Sequence, residues 1–158
     1  ALDVTIQAQI LDLLRKLQAD RGMGLLLITH DLGVVAEMAH EVAVMYAGQI
    51  IERAPVRPLF RSPRHPYTHG LFASLPASSG DKGPLKTIRG QVPAATHFPE
   101  GCRFHPRCPY AMDVCSRRDP VLDPVAEDHA VACWLYDKTV MAEADRPMGI
   151  PQREETRV

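Results

Sequence analysis

Four cysteines lie close together in the second half of this 158-residue chain, and the sequence contains no others. Their spacing is C-x5-C-x6-C-x17-C, formed by Cys102, Cys108, Cys115 and Cys133. In a cytosolic chain such clustering favours a metal site over disulfides, because thiolates are soft ligands for zinc and for iron–sulfur clusters. The spacing lacks the C-x2-C pair of most structural zinc sites and differs from the common ferredoxin patterns. Spacing alone therefore leaves zinc, iron–sulfur, disulfides and free thiols open.

Basic residues interleave with these cysteines: Arg103, His105, Arg107, Arg117 and Arg118. Cations and N–H donors at such positions would offset the negative charge of a thiolate-bound centre. His105 could replace one cysteine as a ligand, although four thiols make that unnecessary. A nucleic-acid-binding zinc module is the alternative from another class. A formal net charge of −1 and an aromatic content of 6% argue against it.

His30 is the second residue with a chemical possibility, because it follows the apolar run Leu25–Thr29. That run predicts a short parallel strand covered on both faces. A residue at the carboxyl end of such a strand faces the crevice where α/β proteins bind ligands. There an imidazole could donate a hydrogen bond to a phosphoryl group, although a lone loop histidine is more often structural.

Regular elements are predicted around His30. Asp3 suits the N-cap of a helix that Gly22 ends, and Asp31 suits the cap of a second helix through Met38. The first helix carries a recurring apolar set: Ile6, Ile10, Leu13, Leu14 and Leu17. A hairpin is expected from Val42–Tyr46 and Gln49–Glu52, turning at Ala47-Gly48. The residues that follow are too few to bury this apolar surface, so we expect the segment to be part of a larger α/β domain.

Proline divides the chain near residue 55, since 12 of its 14 prolines lie between Pro55 and Pro124. Dense proline disfavours long helices and central strands, so this segment is expected to be irregular apart from a helix from Pro66 to about Ser74. Residues 137–158 are polar and are expected to form a disordered tail. No apolar run approaches the roughly 18 residues of a membrane-spanning helix and no signal peptide is recognisable, so a soluble cytosolic protein is expected.

Three stretches of the first 54 residues resemble ABC-transporter ATPases. Ala1-Leu2-Asp3 resembles their D-loop, Leu27–Leu32 their switch-histidine loop, and Val44–Ile50 the hairpin that follows. The resemblance implies that Asp3 shapes the interface between two ATPase subunits near bound nucleotide. It also implies that His30 contacts the γ-phosphate of ATP and the attacking water. The chain has no G-x-x-x-x-G-K-[ST] phosphate loop, so we expect it to be inactive alone, with ATP and Mg²⁺ bound by the parent subunit.

Two further stretches resemble the C-terminal extension of oligopeptide, dipeptide and nickel ABC importers. They are Arg64-His65-Pro66-Tyr67-Thr68 and Ile88–Pro93. The cysteine segment Cys102–Pro109, with Ala132-Cys133, resembles the same branch, where such tails are associated with a [4Fe–4S] cluster. The resemblance thus favours [4Fe–4S], with zinc as the alternative, ligated by the four cysteines. We interpret His65-Pro66-Tyr67 as the start of a helix with a packed aromatic residue.

The predicted fold is α/β: the C-terminal part of an ABC-type P-loop ATPase domain in residues 1–54, then a Pro-rich, four-cysteine extension in 55–136. The resemblance implies an energy-coupling subunit of a peptide importer, peripheral on the cytoplasmic face of the membrane. Its implied partners are a second ATPase subunit, membrane permease subunits and, indirectly, a substrate-binding protein, with no nucleic acid. The alternative is a stand-alone metal-binding interaction module without ATPase function.

Overall fold

The computed structural model describes residues 4–75 and 87–144, and the chain divides into two compact units, Ala1–His40 and Glu41–Val158. Helix α1 (Val4–Arg21) begins the first unit. It ends where Gly22 takes a φ of +60° and its N–H donates to the Gln18 carbonyl at 2.9 Å. Helix α2 (Leu32–Met38) follows, capped by Asp31. Both helices were predicted from their caps and apolar spacing, whereas the predicted cap Asp3 lies outside the described residues.

The segment Leu25–Thr29 contains no strand in the structure, contrary to the expectation of a buried parallel strand. Leu26 and Ile28 are 88% and 90% exposed. A central strand needs hydrogen-bonding neighbours on both sides, and no described residue of this unit forms a strand to pair with it. The apolar face of α1 is also largely exposed, at Ile6, Ile10, Leu13 and Leu17.

A four-stranded antiparallel sheet, in the order β1-β2-β4-β3, forms the centre of the second unit. Strands β1 (Glu41–Tyr46) and β2 (Gln49–Pro55) make the predicted hairpin. Its turn places Ala47 at φ +47° and Gly48 at φ +82°, as a tight two-residue hairpin turn requires. Strands β3 (Asp123–Ala126) and β4 (His129–Val131) form a second hairpin, which the sequence did not predict.

Helices α3 (Val56–Arg61) and α4 (Pro66–Ala73) follow β2, and α5 (Lys138–Glu143) follows a 3-10 turn at Trp134–Tyr136. Helix α4 agrees with the prediction of a helix from Pro66 to about Ser74. Helix α5 lies in the segment expected to be a disordered tail. The Asp137 carboxylate caps it by accepting from the N–H groups of Thr139 and Val140, and Met141 is buried on its inner face. Residues 145–158 of that predicted tail lie outside the described residues.

Two small apolar cores hold this unit together. The first contains Tyr46, Ile51 and Phe104, with partly buried neighbours that include Tyr67 and Ile88. The second contains Leu135 and Met141. Cys102 and Cys108 pack against the first core and Cys133 against the second. The cysteine segment therefore connects the two cores. The mixed helix and sheet content agrees with the predicted α/β class.

Candidate functional site

His30 lies in a turn whose backbone is fixed by side chains on both sides. The N–H of Asp31 donates to the Thr29 hydroxyl oxygen at 3.0 Å, and the Gln7 amide donates to Asp31 Oδ2 at 3.3 Å. Asp31 Oδ1 accepts from the N–H groups of Gly33 and Val34 at 2.9 and 3.2 Å. The bond from Val34, followed by that from Gln7, lowers the pKa of Asp31 and so keeps the cap ionised. His30 itself is exposed, so a ligand can reach its imidazole without moving this turn.

Asp3, the other predicted nucleotide-site residue, lies outside the described residues. The structure therefore does not place it relative to His30, and its role stays a prediction.

All four cysteines are free thiols, and Cys115 is the most buried of them. They lie in short, tightly hydrogen-bonded turns. The Cys102 N–H donates to the Cys115 carbonyl at 2.8 Å, and the Cys108 N–H donates to the His105 carbonyl at 3.2 Å. Gly101 makes the first of these contacts possible, because its φ is +67° and a Cβ there would lie 2.4 Å from the Cys115 carbonyl oxygen.

Each thiol also accepts backbone hydrogen bonds. The Met112 N–H lies 3.4 Å from the Cys115 sulfur. The Cys102 sulfur accepts from the Phe104 N–H, the Cys108 sulfur from the Tyr110 N–H, and the Cys133 sulfur from the Leu135 N–H. Burial nevertheless raises the pKa of Cys102, raises that of Cys108 to about 11, and raises that of Cys133 further. Without a bound cation these groups are therefore neutral thiols, and they are poor nucleophiles at neutral pH.

The described residues contain no group of three or more His, Cys, Asp or Glu side chains placed to hold a metal ion. The predicted [4Fe–4S] or zinc centre on Cys102, Cys108, Cys115 and Cys133 thus has no support from the side-chain geometry. The interpretation of the neighbouring arginines as tuning such a centre is also not supported, because they have other partners. Arg103 contacts Ala47 and Phe98, Arg107 contacts Tyr46 and carbonyls of residues 88–89, and Arg118 lies over Trp134.

A buried carboxylate joins three parts of the second unit, and sequence reasoning missed it. Glu52 on β2 is fully buried. Its Oε1 accepts from the Arg64 N–H at 2.5 Å and from His129 Nε2 at 2.7 Å, while its Oε2 accepts from the His65 N–H at 3.0 Å. These bonds connect the first hairpin to the start of α4 and to β4. No local pattern marks Glu52, since its partners lie 12, 13 and 77 positions away.

Burial acts on the two most enclosed ionisable groups of this cluster in different ways. It would raise the pKa of Glu52, but hydrogen bonds from His129 and from the Arg64 and His65 backbone outweigh it, so the pKa is lowered. Burial lowers the pKa of His65 to about 4, with only a partial opposing effect from Glu52. At neutral pH the structure therefore contains an ionised Glu52 and a neutral His65.

The neutral His65 has a structural function that explains its place before Pro66 and Tyr67. Its Nδ1 accepts from the Tyr67 N–H at 3.0 Å and caps α4, and Pro66 occupies the first turn, where no N–H is needed. Tyr67 then packs against Tyr46 and Phe104, with ring centroids 4.7 and 5.6 Å away. This agrees with the interpretation of the stretch as a helix start with a packed aromatic residue.

Residues 51–115 match the family described as the oligopeptide/dipeptide transporter, C-terminal region. This range contains the capped α4, Glu52, and three of the four cysteines. This part of the chain therefore resembles the C-terminal region of oligopeptide/dipeptide transporters. The resemblance inferred from Arg64–Thr68 and Ile88–Pro93 is thereby confirmed.

Curated relatives extend this likeness to both units. The chain is 53% identical over 146 residues to a peptide import ATP-binding protein of Brucella ovis, which covers 87% of this chain and 43% of that protein. It is 50% identical over 138 residues to the oligopeptide transport ATP-binding protein AppD of Bacillus subtilis, which covers 87% of this chain and 42% of AppD. It is 49% identical over 133 residues to the dipeptide transport ATP-binding protein DppD of Escherichia coli, which covers 84% of this chain and 41% of DppD. It is thus homologous to ATP-binding proteins of peptide transport. The chain spans about two fifths of the length of these relatives.

Within residues 4–75 and 87–144, no helix combines the length and the apolar character needed to cross a membrane.

Proposed function

We propose that this chain is part of the ATP-hydrolysing, energy-coupling subunit of an ABC importer for peptides. The observation that carries the proposal is the homology over 87% of the chain to a protein named for peptide import and ATP binding. The exposed His30 on a fixed turn is consistent with this proposal. Its residue type and position match the switch histidine of the ABC-transporter ATPases that this stretch resembles. Homology across both units also favours this function over a stand-alone metal-binding module.

The proposed partners follow from the same homology. The parent subunit would bind ATP and Mg²⁺, pair with a second ATPase subunit through the Asp3 segment, and drive membrane permease subunits from the cytoplasmic face. A substrate-binding protein would deliver peptide to the permeases. The subunit would be peripheral to the membrane in this arrangement.

The proposed role of His30 is to stabilise the transition state of ATP hydrolysis. Its imidazole would donate a hydrogen bond to the phosphoryl oxygens and to the attacking water as charge moves. A fixed turn is suited to this task, because a donor that is already oriented needs no reorganisation during the reaction. Such an interaction acts on kcat more than on ATP binding.

This proposal is tested in an ATP-binding subunit that contains the segment together with a phosphate loop. We expect His30→Ala to lower kcat by roughly 10²–10³, as for removal of one transition-state hydrogen bond, while the KM for ATP changes only a few-fold. His40→Ala is the matched control, because His40 is also exposed in the same unit and should retain full turnover. Turnover of His30→Ala within a few-fold of wild type would contradict the role.

Asp3 is proposed to act at the contact between two ATPase subunits. Asp3→Ala should therefore reduce the cooperativity of ATP hydrolysis in the assembled importer. It should leave nucleotide binding to the separated subunit nearly unchanged. A loss of binding in the separated subunit, with cooperativity intact, would contradict the interface role.

A metal centre on Cys102, Cys108, Cys115 and Cys133 is a second, narrower proposal. Its support is chemical: four free thiols, each accepting a backbone N–H, are a donor set that suits thiolate-bound iron or zinc. The thiol side chains are not placed to hold a metal, so loading would require them to reorient.

Anaerobic purification tests the metal proposal. A [4Fe–4S] protein should be brown and contain about four irons and four sulfides per chain, and Cys133→Ser should lose them. His105→Ala is the control, because His105 lies in the same segment and should not be a ligand. Colourless protein with one zinc per chain would support zinc instead. Anaerobically purified protein that contains neither iron nor zinc would exclude the centre.

A further inference from the structure

A pocket of about 320 Å³ lies between Tyr46 at the end of β1, the loop of residues 91–99 and the segment that contains Arg103 and the 3-10 turn His105–Arg107. Three prolines form much of its wall: Pro93, Pro99 and Pro106. The ring of Tyr46 contributes a further apolar surface. Prolines fix the backbone around the pocket, so its shape is set before any ligand enters.

Arg107 is held at the pocket wall by three hydrogen bonds. Its Nε donates to the Arg89 carbonyl at 3.0 Å, one terminal nitrogen donates to the Ile88 carbonyl at 3.2 Å, and the other donates to the Tyr46 hydroxyl at 3.3 Å. These neutral acceptors orient the guanidinium without compensating its charge. Arginine has five N–H donors, so some remain for a ligand.

Arg103 is held beside the β1–β2 turn by two other contacts. One terminal nitrogen donates to the Ala47 carbonyl, and the guanidinium carbon lies 4.0 Å from the centroid of the Phe98 ring. The side chain is half-buried, and most of its donors are unused in these contacts. Both arginines are therefore oriented in advance.

Neither guanidinium forms an ion pair with a carboxylate of the described residues. Other arginines of the described residues do pair: Arg15 with Asp12 and Glu37, Arg53 with Glu41, and Arg117 with Asp113. The pocket thus combines two uncompensated positive charges with an apolar, proline-lined wall. Gln91 and His97 add two exposed polar side chains at its edge.

We propose that this pocket binds a small organic anion, with its carboxylate or phosphate group between Arg103 and Arg107 and its apolar part against the prolines. Planar guanidinium groups match the oxygen geometry of both carboxylate and phosphate, which makes arginine the preferred residue for such heads. Pre-oriented arginines lose little rotamer entropy on binding, which favours affinity for even a small ligand. The proposal does not depend on the transport function.

NMR titration of the full-length protein tests this site directly, through the side-chain Nε–Hε signals of Arg103 and Arg107. The probes are orthophosphate, glycylglycine, and the C-terminal amide of glycylglycine, all at low ionic strength. We expect both signals to shift with at least one of the first two probes and neither to shift with the amide. The stronger of the two responses identifies phosphate or carboxylate as the preferred group.

Arg103→Gln should weaken binding by roughly ten- to a hundredfold, the effect of losing one charge-assisted hydrogen-bonding group. Arg117→Gln is the matched control, since it removes the same charge outside the pocket and should leave affinity unchanged. If Arg103→Gln fails to fold, Gln91→Ala and His97→Ala at the exposed edge should each weaken binding a few-fold. Unshifted arginine signals with every probe, or equal weakening by Arg117→Gln, would overturn the proposal.

Discussion

Replacing Glu52 tests whether one buried carboxylate holds the two hairpins and α4 together. Glu52→Ala removes the acceptor for two backbone N–H groups and for the His129 ring. Each buried polar group left without a partner costs about 1–3 kcal/mol. Breaking a buried charged pair costs about 3–5 kcal/mol in total, and we expect the free energy of unfolding to fall by that amount. This would be a large share of the stability of a small unit.

Glu52→Gln distinguishes charge from shape. The amide keeps one acceptor oxygen in nearly the same position, but its NH₂ group meets donors that previously faced a carboxylate oxygen. We expect a smaller loss, about 1–3 kcal/mol, because one side of the cluster stays satisfied. Glu41→Ala is the matched control on the same hairpin. Its ion pair with Arg53 at 2.7 Å is more than half exposed, so removing it should cost about 0–1 kcal/mol.

Urea unfolding followed by tryptophan fluorescence measures these changes in the correct unit. The chain has a single tryptophan, Trp134, and it lies in the second unit beside β4. Its indole N–H donates to the Arg118 carbonyl at 3.0 Å, so its emission should change when this region unfolds. A loss below about 1 kcal/mol for Glu52→Ala, with an unchanged urea dependence, would refute the reasoning.

Three other predictions follow from the same structure. Because burial lowers the pKa of His65 to about 4, the unfolded chain binds a proton below about pH 6.5 that the folded chain does not. The free energy of unfolding should therefore fall by about 3 kcal/mol between pH 6.5 and 4. Urea titrations at several pH values should find this pH dependence weaker in His65→Asn, which keeps a capping side chain. Gly101→Ala should destabilise the cysteine segment by more than about 2 kcal/mol and increase its cleavage by proteases, whereas Gly24→Ala, with no heavy atom within 4 Å of the new Cβ, should not. Asp31→Ala should destabilise α2 and speed amide exchange in its first turn, while Asp31→Asn should retain protection.

The elements that sequence predicted well are those determined by neighbouring residues. Asp31 caps α2, Ala47-Gly48 turns the first hairpin, and Pro66 starts α4; each signal lies within a few positions of its effect. The turn that carries His30 could be located for the same reason. Its chemistry could be assigned only through family resemblance, because an exposed histidine in a turn has no distinctive pattern of its own.

The features that sequence missed depend on distant partners. Strand β4 has only three residues, and β3 contains Pro124, which is acceptable at a sheet edge but suggested an irregular loop. The run Leu25–Thr29 shows the opposite error: its apolar composition predicted a strand, but composition supplies no hydrogen-bonding partner. The pocket arginines were assigned to the cysteines because they are adjacent in sequence, whereas their contacts lie up to 61 positions away.

The pairing of β2 with β4 also has a consequence for synthesis on the ribosome. Glu52 and His129 are 77 positions apart, so at about 5–20 residues per second the first hairpin waits some 4–15 seconds for its partner strand. Closing so long a loop costs about 4 kcal/mol of chain entropy, so the two hairpins should form separately and join last. During that interval the edge of β2 and the Glu52 carboxylate are open to water. A charge at this position opposes pairing with a second nascent chain until the correct strand arrives.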